Sequence, residues 1–143
     1  MNDFADIFLH IRARHGHYCA MSTLGGRLGL AALAALGEGA DGLTATYRIE
    51  TCAADGIALA TGCLPEEGRL TVCNEGRHRL ELRTVDGRGV AAELTPAALE
   101  AAARCRKRLD AGEEAGVVLA ALRNAPVAEL ITVTPLTAGE ADA

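Results

Sequence analysis

Two short segments of the chain contain side chains that commonly bind metal ions. The first, residues 15–19, reads His-Gly-His-Tyr-Cys and places two imidazoles and one thiol within five residues. The second begins at Cys52, has Asp55 three residues later and ends at Cys63. Imidazole and thiolate together favour zinc, and they also suit iron or nickel. The sequence therefore predicts a transition-metal site, with zinc as the first choice and iron or nickel as alternatives.

The spacing of Cys52 and Cys63 restricts how this site can be built. They are eleven residues apart, which in a straight helix separates their Cα atoms by roughly 16 Å. Two sulfurs bound to one zinc are only about 4 Å apart. The start of a helix stabilises a thiolate and favours Cys52 as the ligand, whereas the Gly62-Cys63 turn would expose Cys63. The choice stays open, as do two separate sites or a site shared between subunits.

Asp55 and His78 have both structural and functional interpretations. Asp55 could cap the helix that follows Cys52, or it could belong to the site. His78 shares a strand face with Leu80 and Leu82 by period two, which is typical of a core residue. Its functional alternative is proton transfer or orientation of a group near the metal.

Residues 15–19 and the remaining cysteines also have simpler interpretations. The segment could be a loop with exposed histidines and a buried thiol. Cys19 with His15 or His17 could form a nucleophile and base pair, although side chains this close in a loop often point apart. Cys73 is predicted to be peripheral. Cys105 is predicted to lie on the apolar side of a helix, buried in the protein core.

Periodicity and stop signals define the elements that hold these residues. Asp86-Gly87 predicts a hairpin between two strands, and Thr95-Pro96 predicts a capped helix start. Consecutive strands with short turns indicate an α+β fold, an antiparallel sheet with helices packed mainly on one side. We expect one domain over residues 1–135 and a disordered tail over residues 136–143. The predicted helices are 3–14, 22–36 with Ser22 as the cap, 53–61, 95–109 and 113–123, and the predicted strands are 43–51, 69–73, 77–85, 88–94 and 129–135.

The composition of the chain excludes some classes of partner and indicates the cellular compartment. A net charge of −5 argues against a nucleic acid partner. No signal peptide is visible, and the apolar stretch 24–36 is too short to span a bilayer, so no membrane partner is expected. Five cysteines without a secretory signal indicate a reducing, cytoplasmic compartment. With no Trp, two Phe and two Tyr, the core must be built from small side chains, which favours completion by a second subunit in a homodimer.

At these segments the chain resembles the FmdE family of formylmethanofuran dehydrogenase proteins. The likeness covers most of residues 4–135. The residues that correspond to the family's three elements are His15-Gly-His17-Tyr-Cys19, Cys52-Ala-Ala-Asp55-Gly-Ile57 with Thr61-Gly62-Cys63, and Gly76-Arg77-His78.

Some positions depart from the family pattern. Ala20-Met21 replaces a Pro-Gly, and Pro65-Glu66-Glu67-Gly68 replaces a Gly-Lys-Gly, which changes the rim of the site. The chain has no cysteine after Cys105 and so lacks the zinc-ribbon extension of many relatives.

The resemblance implies an α+β domain, often dimeric, with a metal held by His and Cys side chains. His17 and Cys19 would be ligands together with Cys63 or Cys52, and His15, Asp55 and His78 would support them or transfer protons. The implied function is an accessory or metal-dependent redox role in one-carbon or anaerobic metabolism, with catalysis itself left open. The alternatives are a metal carrier that loads a partner metalloenzyme and a non-catalytic interaction module.

Overall fold

The structure is a computed structural model that describes residues 7, 10, 11, 13, 14, 16, 19–37, 39 and 41–136. The described residues between 7 and 14 are helical, which agrees with the predicted first helix. A 3-10 turn covers Pro65–Glu67. The helices from residue 19 onward are α1 Ala20–Leu36, α2 Ala53–Thr61, α3 Pro96–Asp110, α4 Ala115–Asn124 and α5 Val127–Leu130, and the strands are β1 Thr44–Tyr47, β2 Leu70–Val72, β3 Arg79–Arg83, β4 Gly89–Leu94 and β5 Ile131–Leu136.

The five strands form one sheet in the order β2-β1-β3-β4-β5. Three of its pairs are antiparallel, but β1 and β2 are parallel, with Tyr47 opposite Val72. The predicted antiparallel sheet is therefore mixed at one edge. The reason is the connection, because α2 and the 3-10 turn lie between β1 and β2 and return the chain to the same end of the sheet.

The core lies on one face of this sheet, which confirms the predicted α+β arrangement. Tyr47, Leu80 and Leu82 are fully buried there, and α1 packs across β3, β4 and β5. Alternate residues of the strands point to the other face, where the charged side chains cluster. Glu81 is buried on that side and accepts hydrogen bonds from Arg48 at 2.7 Å and Arg79 at 2.9 Å.

The helix boundaries agree with the sequence except at one important cap. Helix α2 has the predicted bounds, and Gly62 ends it in a left-handed conformation with φ 77°. Thr95 caps α3, as predicted. Helix α1 begins earlier than expected, because the sulfur of Cys19 accepts the Ser22 N–H and takes the capping role predicted for Ser22.

The C-terminal part contains one element that the sequence did not predict. Helix α5 spans only four residues, too few to produce a periodic apolar pattern. Of the predicted tail, Leu136 is the last residue of β5 and residues 137–143 lie outside the described part of the chain. Within the described residues, no helix is long and apolar enough to cross a membrane.

Candidate metal site

The site is built on an unusually close contact between α1 and α2. A Cβ atom on Gly25 would lie 2.0 Å from the carbonyl oxygen of Ala53, and one on Gly56 would lie 2.1 Å from that of Ser22. Further along, Gly29 packs against Ala60. The contacts advance in the same direction on both helices, so the helices run parallel. Glycine is required here because any side chain would push the two backbones apart.

This packing brings two cysteines together. Cys19 is the N-cap residue of α1 and Cys52 is the N-cap residue of α2. The two thiols are neighbours, because Cys19 contributes to the raised pKa of Cys52 and both side chains line one cavity. Cys19 is half-buried and Cys52 is exposed. Of the predicted convergence between residues 15–19 and the second cysteine segment, the described residues include Cys19 beside Cys52.

The surroundings of the Cys52 sulfur oppose a negative charge in the absence of a cation. The first N–H groups of α2 are already paired, because those of Ala53 and Ala54 donate to Thr51. The Ser22 N–H donates to the Cys19 sulfur at 3.3 Å. The pKa of the Cys52 thiol is raised, first by partial desolvation and then by the charges of Cys19 and Asp55. A metal cation would remove this repulsion and hold both thiolates, so the donor pair fits such an ion.

An open cavity of about 560 Å³ lies against the two thiols. One side of it is formed by Cys19, Met21 and Cys52, and the opposite wall is a face of α3. The wall is mostly apolar, and Arg106 and Asp110 provide its charged groups. The thiols are thus accessible to a small molecule. The lining residues on α3 are Leu99, Ala102, Ala103, Arg106, Leu109 and Asp110.

Arg14 fixes the chain immediately before the histidine segment. Its Nε donates to Asp55 at 3.1 Å, and its other two nitrogens donate to Glu66 at 2.9 and 3.2 Å. Hydrogen bonding to Arg14 lowers the pKa of Glu66 to about 2. Asp55 therefore has an ion-pair partner, and His15 follows directly after a residue that is held at α2. The sequence indicates this contact only by placing the positively charged Arg14 directly before residues 15–19.

The structure separates Cys63 from the other candidate ligands. Helix α2 is continuous between Cys52 and Cys63, so these residues lie at its opposite ends. The Cys63 side chain is 1% exposed and packs in the core. Burial raises the pKa of its thiol. The two cysteines cannot bind one ion within one chain, and Cys52 is the one beside Cys19.

His78 lies at the end of the sheet from which the chain continues to Cys52. Its carbonyl oxygen accepts the Leu94 N–H at 3.0 Å, and its ring is half-buried. The Nδ1 atom is buried and has no hydrogen-bond partner among the described residues. Desolvation lowers the pKa of the ring, against the opposing charge of Glu93. His78 does not line the cavity.

The remaining candidates divide into two groups. Cys73 is half-buried beside Arg48, and Cys105 is buried in the core and donates to the Val118 carbonyl, as predicted for both. His15 and His17 lie outside the described residues. Among the residues that the structure describes, no group of three or more His, Cys, Asp or Glu side chains could hold a metal ion. The described part thus contributes two thiols, and sequence reasoning missed Arg14 and the α3 wall.

Fold and site define an α+β protein with a thiol pair at the joined starts of two parallel helices. Over residues 14–135 the sequence matches the family described as "FmdE, Molybdenum formylmethanofuran dehydrogenase operon". The chain belongs to this family, as the sequence motifs predicted.

The fold is also similar to a solved structure. This is the crystal structure of an FmdE-like protein of the tungsten formylmethanofuran dehydrogenase type from Syntrophus aciditrophicus. The TM-score is 0.71 at 21% sequence identity, and the match covers 95% of this chain and 73% of that one. At this identity the likeness supports the fold alone. No curated protein matches the chain.

Proposed function

We propose that the protein binds a transition metal ion, zinc in the first instance, through Cys19 and Cys52. The observation that supports this most directly is that Cys19 and Cys52, at the N-terminal ends of α1 and α2, line one cavity side by side. His17, two residues before Cys19, is the proposed third ligand. His15 and Asp55 would orient the ligands, and His78 would serve proton transfer.

The donor set defines what the bound ion would do. Two thiolates and one imidazole would hold the ion, and as three protein ligands they would allow it to bind water or a ligand as well. The cavity beside Cys19 and Cys52 offers room for such a molecule. A metal there would supply Lewis acidity, while the chain's own residues exclude water on the apolar α3 side. Iron or nickel suits the same donors.

We assign this site to an accessory or redox role beside a formylmethanofuran dehydrogenase, in one-carbon or anaerobic metabolism. The family description connects these proteins with the operon of that enzyme. A carrier that loads metal into the partner enzyme is the second candidate, because Cys52 is exposed and would exchange its ligand readily. Competition with a chromophoric chelator separates the two, since a carrier surrenders its metal within the mixing time.

We further propose that the protein is a cytoplasmic homodimer. All five cysteines are free thiols, which suits a reducing compartment. With no Trp, two Phe and two Tyr, the chain packs through small side chains, and a second copy would extend its buried surface. Light scattering at working concentration tests this, and a monomeric mass would exclude it.

Elemental analysis and cobalt spectroscopy test the metal site. Untagged wild-type protein should bind one ion per chain and show sulfur-to-cobalt charge-transfer absorption. Cys19→Ala and Cys52→Ala should each lose stoichiometric metal and this absorption. Cys73→Ala is the matched control, because it removes a half-buried thiol beside Arg48 and should bind like wild type. Full metal retention by both site variants would exclude the site, and metal-free wild type would favour the non-catalytic interaction module.

A further inference from the structure

We propose that Cys19 and Cys52 form a dithiol–disulfide pair that exchanges with small organic disulfides. This activity goes beyond the proposed metal site, although it uses the same two thiols, and it requires no metal. It depends on three properties of the pair, namely its geometry, its accessibility and the donors around its sulfurs.

The geometry suits a bond between the two sulfurs. A disulfide requires Cβ atoms about 3.5–4.5 Å apart and Cα atoms about 4.4–6.8 Å apart. Cys19 and Cys52 line the same cavity at the starts of α1 and α2. The glycine contacts hold the first turns of the two helices together, with the Gly56 position against Ser22 and the Gly25 position against Ala53. The two cysteines therefore lie side by side on backbones that are in direct contact.

The pair is also accessible, whereas two other thiols are not. Cys19 and Cys52 line a cavity that is open to solvent and large enough for a small disulfide. Cys63 is 1% exposed and Cys105 is 4% exposed. A disulfide reagent that enters the cavity therefore meets two adjacent thiols and no others.

The surroundings place Cys19 for attack. The Ser22 N–H donates to its sulfur at 3.3 Å, and the Ser22 hydroxyl oxygen lies 3.1 Å from the same sulfur. These contacts fix the position of the Cys19 sulfur beside the cavity. Cys52, on the same cavity, is placed to resolve the product.

The exchange balances in two steps. The Cys19 thiolate attacks one sulfur of the organic disulfide, which forms a mixed disulfide and releases the first organic thiolate. The Cys52 thiolate then attacks the Cys19 sulfur, which forms the Cys19–Cys52 bond and releases the second organic thiolate. The two protons of the protein thiols go to the two released thiolates. The protein is oxidised by two electrons, and the organic disulfide is reduced to two thiols.

Oxidised glutathione tests the exchange on the full, metal-free chain. Of five free thiols, wild type should retain three and release two glutathione molecules. Peptide mapping should find the bond between Cys19 and Cys52. Cys19→Ser should stop at a mixed disulfide on Cys52 and release one glutathione. Cys73→Ser should form the bond between Cys19 and Cys52 as wild type does. A stable mixed disulfide on wild type, a bond between other cysteines or no reaction would overturn the proposal.

Zinc distinguishes this proposal from the metal site. Protein loaded with zinc beforehand should resist oxidation at Cys19 and Cys52 if both proposals hold. Disulfide formation that zinc does not slow would refute the metal site and leave the exchange standing. Protection by zinc in a protein that forms no internal bond without it would support the metal site and refute the exchange.

Discussion

The two ends of α2 have the same residue type in opposite environments. Cys52 precedes the helix, is exposed and lines the cavity together with Cys19. Cys63 follows the helix, is buried in the core and donates its N–H to the Thr61 hydroxyl at 3.1 Å. Nine helical residues separate the two ends.

The comparison shows that exposure, and not residue type, determines which cysteine can react. Cys52 is exposed at the cavity, whereas Cys63 is 1% exposed in the core. Desolvation raises the pKa of both thiols, so accessibility distinguishes the two ends of the helix. Cys63 is therefore a core residue, and Cys52 is the candidate ligand and redox thiol.

Replacing glycine by alanine in the first half of α2 and just after its end should give the largest difference in the free energy of unfolding. Gly56→Ala places a methyl group 2.1 Å from the Ser22 carbonyl oxygen, so the helices must separate. We expect the free energy of unfolding to fall by about 3 kcal/mol, the upper part of the range for overpacked sites. Gly62→Ala meets nothing within 4 Å but keeps a φ of 77°, which costs roughly 1 kcal/mol. Urea denaturation measures both.

The two glycine variants should also differ in metal binding. Gly56→Ala should weaken metal binding because it moves Cys52 away from Cys19, whereas Gly62→Ala should not. Equal stability and equal metal affinity in the two variants would contradict the role of the helix contact.

Alkylation of the native protein compares the two thiols directly. Iodoacetamide should modify exposed Cys52 readily, while 1% exposed Cys63 must wait for local opening. We expect a rate ratio of at least about 100, which corresponds to an opening free energy of about 2.8 kcal/mol. Mass spectrometry of timed samples measures the ratio, with Cys105 as a second buried reference. Similar rates at the two ends would show that α2 is not a stable helix.

The smallest expected effect concerns Arg14, which forms ion pairs with Asp55 in the first turn of α2 and with Glu66 beyond the end of this helix. The pKa of Glu66 is about 2 because Arg14 stabilises its charged form. This ion pair stabilises the fold above the ordinary carboxyl pKa of 4.5, and the contribution is lost as the pH falls from there towards 2. In Arg14→Gln the pKa of Glu66 should rise towards 4.5, although its backbone hydrogen bond still lowers it, and NMR titration of the side-chain carboxyl measures the change. Arg108→Gln, which removes a separate pair with Glu113, should leave the pKa of Glu66 unchanged.

Local signals predicted much of the fold. The bounds of α2, its end at Gly62 and the Thr95-Pro96 start of α3 follow from capping and turn preferences, which act within a few residues. The parallel pairing of β1 with β2 was missed because strand direction depends on how the connection packs in three dimensions. Ser22 was chosen over Cys19 as a cap because a hydroxyl is the commoner capping group.

The site was predictable in its residue types but not in its pairing. Spacing alone showed that Cys52 and Cys63 could not share an ion through a straight helix, and the structure shows that the helix is continuous. The α3 wall and the Arg14 contacts join residues that are distant in sequence, so no local pattern encodes them.

Arg27 connects the first long helix with the last third of the chain. Its guanidinium donates to the carbonyls of Leu122, Arg123 and Ala125 at 2.7–2.8 Å, at the C-terminal end of α4. Burial lowers the pKa of Arg27, so this cation depends on those acceptors. During synthesis, α1 leaves the ribosome about a hundred residues before its acceptors do. A nascent chain must therefore keep this charge hydrated until residue 125 has emerged, and truncation before that point would leave a cation facing a half-formed interior.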